Sequence, residues 1–232
     1  MPMVPVLIPV IRFSTAAAAM ANANIARDAG CDGVFLVHPE GEDGLLIPVT
    51  RHIKEEWPAG MVGIHFKNTP AMAALDLSLG NGLDMTWTDN ISQSNSSEAS
   101  RVASVLGKLT SHLFFDSIDP SGFHQKPPDP FEAATKTRRH RMIPATRFSP
   151  EDETEEIRKL AILRSAVGNA ALAVASGITV ENVHALTPYA SHLLFASGAS
   201  DTFFTLDPEL TRAMVTQAKK AWTETGPAWA SL

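Results

Sequence analysis

Two aspartates, Asp89 and Asp116, each close a short apolar run, and Lys67 follows the run GIHF. Paired carboxylates push each other's pKa values apart, so one serves as acid and the other as base. A nearby ammonium stabilises developing negative charge. Asp89, Asp116 and Lys67 are therefore the candidate catalytic set. Ser176-Gly177 and Ser197-Gly198 end the runs LAVA and HLLFA. Glycine lets an anion approach the backbone and serine adds a hydroxyl donor, so both pairs read as phosphate-binding tips. Arg12, His38, His65, Thr146 and Arg147 close other apolar runs and are candidates for a substrate pocket, the arginines as planar forks for phosphate or carboxylate. Each has a plainer reading. Ser-Gly is also a tight turn, an aspartate also caps helices, and a lysine or arginine also sits solvated or ion-paired at a rim.

These residues share a site only if the elements bearing them converge. Short β-branched runs alternate with longer helical segments. Strands are expected near Val6 to Ile11, Gly33 to Val37, Met61 to Phe66, Asp84 to Thr88, His112 to Asp116, Met142 to Ala145, Leu172 to Ala175 and His192 to Ala196. Their spacing of roughly 20 to 30 residues is one strand-plus-helix unit. Near-continuous apolarity suits strands buried on both faces. Thr69-Pro70, Asp129-Pro130, Ser149-Pro150 and Asp207-Pro208 place a capping side chain before a helix-starting proline. Asn95 with Glu98 and Asp129 with Glu132 have capping-box spacing. Ile157, Leu160, Leu163 and Val167 form one face of a helix, and a helix VENVHAL opens after Thr179.

The expected architecture is a single-domain α/β (βα)8 barrel over residues 1–232, with phosphate-binding loops after strands seven and eight. In such a barrel, polar residues at strand C-termini face one mouth. Asn90 to Ser97 and Pro120 to Pro130 exceed a minimal barrel and are expected as extended loops there, either a substrate lid or plain surface loops.

With 44% hydrophobic residues in 232, the chain can bury one sizeable core. A net charge of -6 argues against nucleic acid as a partner. The single cysteine, Cys31, excludes an intrachain disulfide and suits a cytoplasmic setting. The apolar start MPMVPVLIPVIRF has no basic flank and is interrupted by prolines, so it is expected as the first strand, and no membrane insertion is expected. His38, His65 and His124 with Asp89 or Glu40 invite a metal reading, but no HxH or HExxH spacing is present. No cofactor or metal is expected. A homo-oligomer is the default for an enzyme of this size.

Three passages carry a family likeness: ARDAGCDGVFLVHPEGED, GIHFKNTPAMAAL with Lys67 and Asn68, and ASGITVENV with Glu181 and Asn182. In them the chain resembles the BtpA family, phosphate-binding (βα)8 barrels linked to photosystem I biogenesis. It departs from the family at His38-Pro39, at Asp89 and at Ile143 to Arg147. The resemblance implies a barrel with a phosphorylated or nucleotide-like ligand. The combined expectation is an enzyme acting on a small phosphorylated metabolite, by isomerisation or glycosyl-bond chemistry. The alternatives are a non-catalytic binding or assembly protein, or a metal-dependent hydrolase using His38 and Asp89.

Overall fold

The computed structural model describes residues 4–119 and 129–226. Eight strands, β1 (Val6–Arg12), β2 (Gly33–Val37), β3 (Met61–His65), β4 (Met85–Asp89), β5 (Leu113–Ser117), β6 (Ile143–Arg147), β7 (Ala173–Ala175) and β8 (His192–Phe195), pair in sequence order into a closed barrel. All pairings are parallel, and β8 returns to β1 with Val6 opposite His192. The chain is thus a single (βα)8 α/β barrel.

Strand side chains alternate between two environments because the period of a strand is two. Ile8, Phe35, Met85, Phe115, Ile143 and Leu194 fill the barrel interior. The intervening Leu7, Val34, Leu36, Ile64, Val174 and Leu193 face the helical layer. Burial on both faces explains why the strands read as unbroken apolar runs.

The helices are α1 (Ala16–Ala29), α2 (Leu46–Glu56), α3 (Ala71–Gly80), α4 (Ile91–Ser94), α5 (Ser96–Leu106), α6 (Pro130–Arg139), α7 (Glu153–Val167), α8 (Val183–Leu186) and α9 (Pro208–Thr225). Asp129 and Asp207 cap α6 and α9, accepting from Glu132 N at 2.9 Å and Leu210 N at 2.7 Å. Asn95 caps α5 as its spacing suggests, accepting from Glu98 N at 3.1 Å, but the capping box is incomplete: Glu98 accepts from the Asn95 side-chain amide, and the Asn95 backbone N–H bonds to Ile91 O.

Three local expectations change. Asn90 to Ser97 is not an extended loop but the single turn α4 and the start of α5. Ser149 does not cap; a 3-10 turn at Pro150–Asp152 intervenes and Asp152 caps α7. Thr69 does not cap α3, because its hydroxyl donates to Asp43 instead. Most of the Pro120 to Pro130 loop, with His124, lies outside the described residues. In α7, Leu160, Leu163 and Val167 are buried as expected, and Arg164 joins them. Its guanidinium satisfies the carbonyls of Gly168 and Ala170 at 2.8 and 2.7 Å, which otherwise lose water at the helix end.

Candidate active site

The C-terminal mouth of the barrel holds a cavity of about 360 Å³. Strand register assembles its acid–base group. His65 on β3 pairs with Trp87 on β4, and Asp89 pairs with Ser117 on β5. Trp87 and Asp89, two residues apart, point to the same face. The rings of His65 and Trp87 therefore stack, with centroids 3.9 Å apart and planes at 11°. Trp87 Nε1 donates to Ser117 Oγ at 2.8 Å, and Ser117 Oγ donates to Asp89 Oδ1 at 2.6 Å. His65 Nε2 lies 3.1 Å from the same oxygen. Asp89 Oδ2 has no hydrogen-bond partner among the described residues. Burial raises the Asp89 carboxyl, but His65, Ser117 and the charge of Lys67 outweigh it and hold the group below its ordinary range.

Asp116 does not join Asp89. Asp89 and Ser117 are on the inner face, so Asp116, one residue before Ser117, turns outward. It is fully buried and accepts from Ile91 N at 2.8 Å, Ser92 N at 3.0 Å and the Ser92 hydroxyl. It is thus the anchor that seats α4 on the barrel. Burial raises its carboxyl to about 6, against the pull of these donors and with a small push from Asp89. The expected carboxylate pair is replaced by an aspartate–histidine pair.

Three cations line the same cavity: Arg12 from β1, Lys67 just after β3 and Arg147 from β6. None of them forms an ion pair with a carboxylate among the described residues. Arg12 donates to Ser197 Oγ at 2.9 Å and to Phe203 O at 3.2 Å, and sits 4.3 Å from the centroid of the Phe203 ring. Burial lowers its pKa from the ordinary value. Lys67 Nζ donates to Pro39 O at 2.9 Å. Thr146 also lines the cavity but is nearly fully buried, its hydroxyl donating to Asp119 Oδ2 at 2.8 Å. Asp119 also accepts from Arg147 N at 2.9 Å and Lys159 Nζ at 3.2 Å, fixing the end of β6.

The two Ser-Gly tips are adjacent, as expected, but none of Ser176, Gly177, Ser197 and Gly198 is among the residues lining the cavity. Ser197 reaches it only through Arg12. The glycines have a packing role. A Cβ at Gly177 would lie 2.0 Å from Phe148 O, and one at Gly198 would lie 1.9 Å from Ile178 O. The helix expected from Val180 is only the single turn α8, so it brings no extended dipole to this edge. His38 stands apart, its ring 5.8 Å from that of Phe13 and outside the cavity lining. The His38–Asp89 metal pair is therefore not assembled. No cluster of three metal-ligating side chains occurs among the described residues.

Trp87 and Ser117 carry no catalytic signal by residue type, although Trp87 is two positions before Asp89. Asp43 carries none either. It is buried and accepts from the backbone N of Lys67, Asn68 and Thr69 at 3.2, 3.0 and 3.0 Å, clasping the β3–α3 loop to the β2–α2 loop. Asn22 on α1 is equally silent in the sequence. Its amide donates to Phe204 O at 2.8 Å and accepts from Leu206 N at 2.9 Å, which pins the loop carrying Phe203.

No helix among the described residues is long and apolar enough to cross a membrane. No protein-family model and no curated protein matches the chain, so the BtpA likeness remains a resemblance. Solved structures match it over nearly its whole length. Phosphoribosyl anthranilate isomerase from Thermotoga maritima superposes with a TM-score of 0.70 at 18% identity, over 94% of this chain and 100% of that one. KGPDC from Streptococcus mutans gives a TM-score of 0.68 at 9% identity, over 95% and 100% of the two chains. A phosphoribosyl anthranilate isomerase in complex with reduced 1-(o-carboxyphenylamino)-1-deoxyribulose 5-phosphate gives 0.69 at 16% identity, over 94% and 100%. At these identities the likeness establishes the fold: this chain is built as those (βα)8 barrels are.

Proposed function

We propose that the protein is an enzyme that moves a proton on a small phosphorylated metabolite, in an isomerisation or glycosyl-bond reaction. One observation carries the reading: three cations without carboxylate partners among the described residues share a cavity with the Asp89–His65 pair, in a chain whose net charge is -6. Unpaired positive groups converging on one cavity of an acidic protein suit an anionic ligand. Arg12, held by Ser197, would hold the phosphate. Asp89 is ionised at neutral pH, and Oδ2 would take the proton while His65, Ser117 and Trp87 keep the carboxylate oriented. Lys67 and Arg147 would stabilise negative charge developing on the substrate. The structural neighbours that handle phosphorylated compounds by name are consistent with this ligand class.

The test is a thermal-shift screen with sugar phosphates and nucleotides in sulfate-free buffer. A ligand at a hundredfold excess over its Kd stabilises the fold by about 2.7 kcal/mol. At least one phosphorylated compound should raise Tm, and its turnover should fall about 10²–10⁴-fold in Asp89→Asn. A screen in which every compound leaves Tm unchanged would refute the ligand class. Turnover that survives in Asp89→Asn would remove Asp89 as the base.

A further inference from the structure

The hydrogen bonds around Asp89 run in one direction, and that direction fixes a proton. The Trp87 indole is a donor only, so Ser117 Oγ accepts its N–H at 2.8 Å and turns its own hydrogen to Asp89 Oδ1 at 2.6 Å. Asp89 is held below the ordinary carboxylate range, so at neutral pH it is ionised and can only accept. His65 Nε2, 3.1 Å from the same Oδ1, is therefore the ring nitrogen that carries hydrogen. In the neutral ring this leaves a lone pair on Nδ1. That atom has no hydrogen-bond partner among the described residues, and unlike His38 Nδ1 it is not sealed from solvent. The ring lines the cavity, with Trp87 stacked on one face at 3.9 Å. The aspartate and the histidine thus meet through Oδ1 and Nε2, and Oδ2 and Nδ1 are the two unused atoms of the pair.

We propose that His65 is a second proton-transfer residue, its Nδ1 exchanging a proton with a substrate oxygen while Asp89 Oδ2 exchanges one with the adjoining carbon skeleton. This rests on the reading of Asp89 as the base, and narrows the reaction to isomerisation of a carbonyl compound with a hydroxyl on the neighbouring carbon. Asp89 Oδ2 takes the proton from the hydroxyl-bearing carbon, and the C–H electron pair forms a C=C bond to the carbonyl carbon. The carbonyl oxygen takes a proton from Nδ1 of the protonated ring. The ring is left neutral with hydrogen on Nε2, the form that Asp89 Oδ1 accepts from. In the return step Nδ1 takes the proton of the other hydroxyl, whose oxygen becomes the new carbonyl, and Asp89 gives its proton to the former carbonyl carbon. No proton or electron is gained or lost overall. A carboxylate acting alone would leave an oxyanion at the intermediate; a positioned imidazole neutralises it by proton transfer.

His65→Gln separates this role from orientation. Its side-chain amide can still donate to Asp89 Oδ1, but it exchanges no protons. Ribose 5-phosphate and fructose 6-phosphate serve as probes in heavy water, with proton NMR reading deuterium uptake at carbon and isomer formation. In His65→Gln, checked for an unchanged melting profile, isomer formation should fall about 10²–10⁴-fold while the probe's Kd by calorimetry stays within about threefold. Full turnover in His65→Gln would overturn the proposal, assign His65 to orientation only, and leave the reading of Asp89 standing. Absence of uptake from both probes in the parent protein would count against that reading and the proposal together. Nitrogen NMR of histidine-labelled protein tests the tautomer without a substrate. The neutral His65 ring should carry hydrogen on Nε2, and hydrogen on Nδ1 would overturn the proposal.

Discussion

At the residue scale, parity decides what a side chain can do. Asp89 and Asp116 both end apolar runs, yet one faces the mouth and the other the helical layer, because β4 and β5 are registered with Asp89 opposite Ser117. Asp116→Ala should therefore behave as a stability variant. It leaves the Ile91 and Ser92 donors without an acceptor, at about 1–3 kcal/mol each. Urea denaturation should show a large fall in midpoint, and ligand affinity in the surviving folded protein should change little. His192, on the inner face at the opposite end of the barrel, meets Phe115 edge-on at 5.3 Å. Burial depresses its pKa to about 4. Below the unfolded value of about 6.5 the unfolded chain takes up a proton that the folded chain refuses, so stability falls with pH from about 6.5 towards 4. The slope is about 1.4 kcal/mol per pH unit for one proton. Asp116 acts with the opposite sign, since its raised pKa stabilises the fold at low pH and that contribution is lost as pH rises towards about 6. His192→Gln isolates the histidine. In denaturation series between pH 4 and 7, the acid-side loss should be about one proton shallower than in the parent protein. An unchanged slope would mean that His192 titrates normally.

At the element scale, the loops after β7 and β8 are ordered by close backbone approach. Gly177 has φ 68° and Ser176 before it φ 69°, so two consecutive residues are left-handed at the end of β7. Gly198 has no left-handed requirement but admits the carbonyl of Ile178. Gly198→Ala should destabilise by about 1–3 kcal/mol through overpacking against backbone that cannot yield. Gly177→Ala adds backbone strain to a clash with Phe148 O and should cost more. Thermal melts of the two variants rank them, and equal or negligible losses would contradict the packing account. These elements were legible in part. All eight strands were expected close to their observed ends, because doubly buried strands have a distinctive composition. The Asn90 to Ser97 segment was not, since its serines suit either a loop or a helix. Its helical state depends on Asp116, a residue distant in sequence that supplies acceptors to the first turn.

At the scale of the whole molecule, a chain of net charge -6 concentrates unpaired positive groups at one end of its barrel. The local field at the mouth opposes the overall charge, and the two have different ranges. Salt shortens the Debye length from about 30 Å at 0.01 M to about 8 Å at 0.15 M. The affinity of a phosphorylated ligand found in the thermal-shift screen should weaken several-fold between those salt concentrations if Arg12, Lys67 and Arg147 hold it. Affinity that rises with salt would show that the overall negative charge governs binding and that these cations do not.

The amino-acid sequence alone determined the number of strands, their order and the barrel class, because these follow from local composition and period. It also marked Asp89, Lys67, Arg12, His65 and Arg147, which meet in one cavity. Only the tertiary structure decided which polar strand-end residues face the mouth, since a shift of one residue in register exchanges inside for outside. It replaced the pair of aspartates with Asp89 and His65, and brought in Trp87 and Ser117 through cross-strand neighbours. It also gave the Ser-Gly tips a packing role, because the distance between two loops cannot be read from either loop alone.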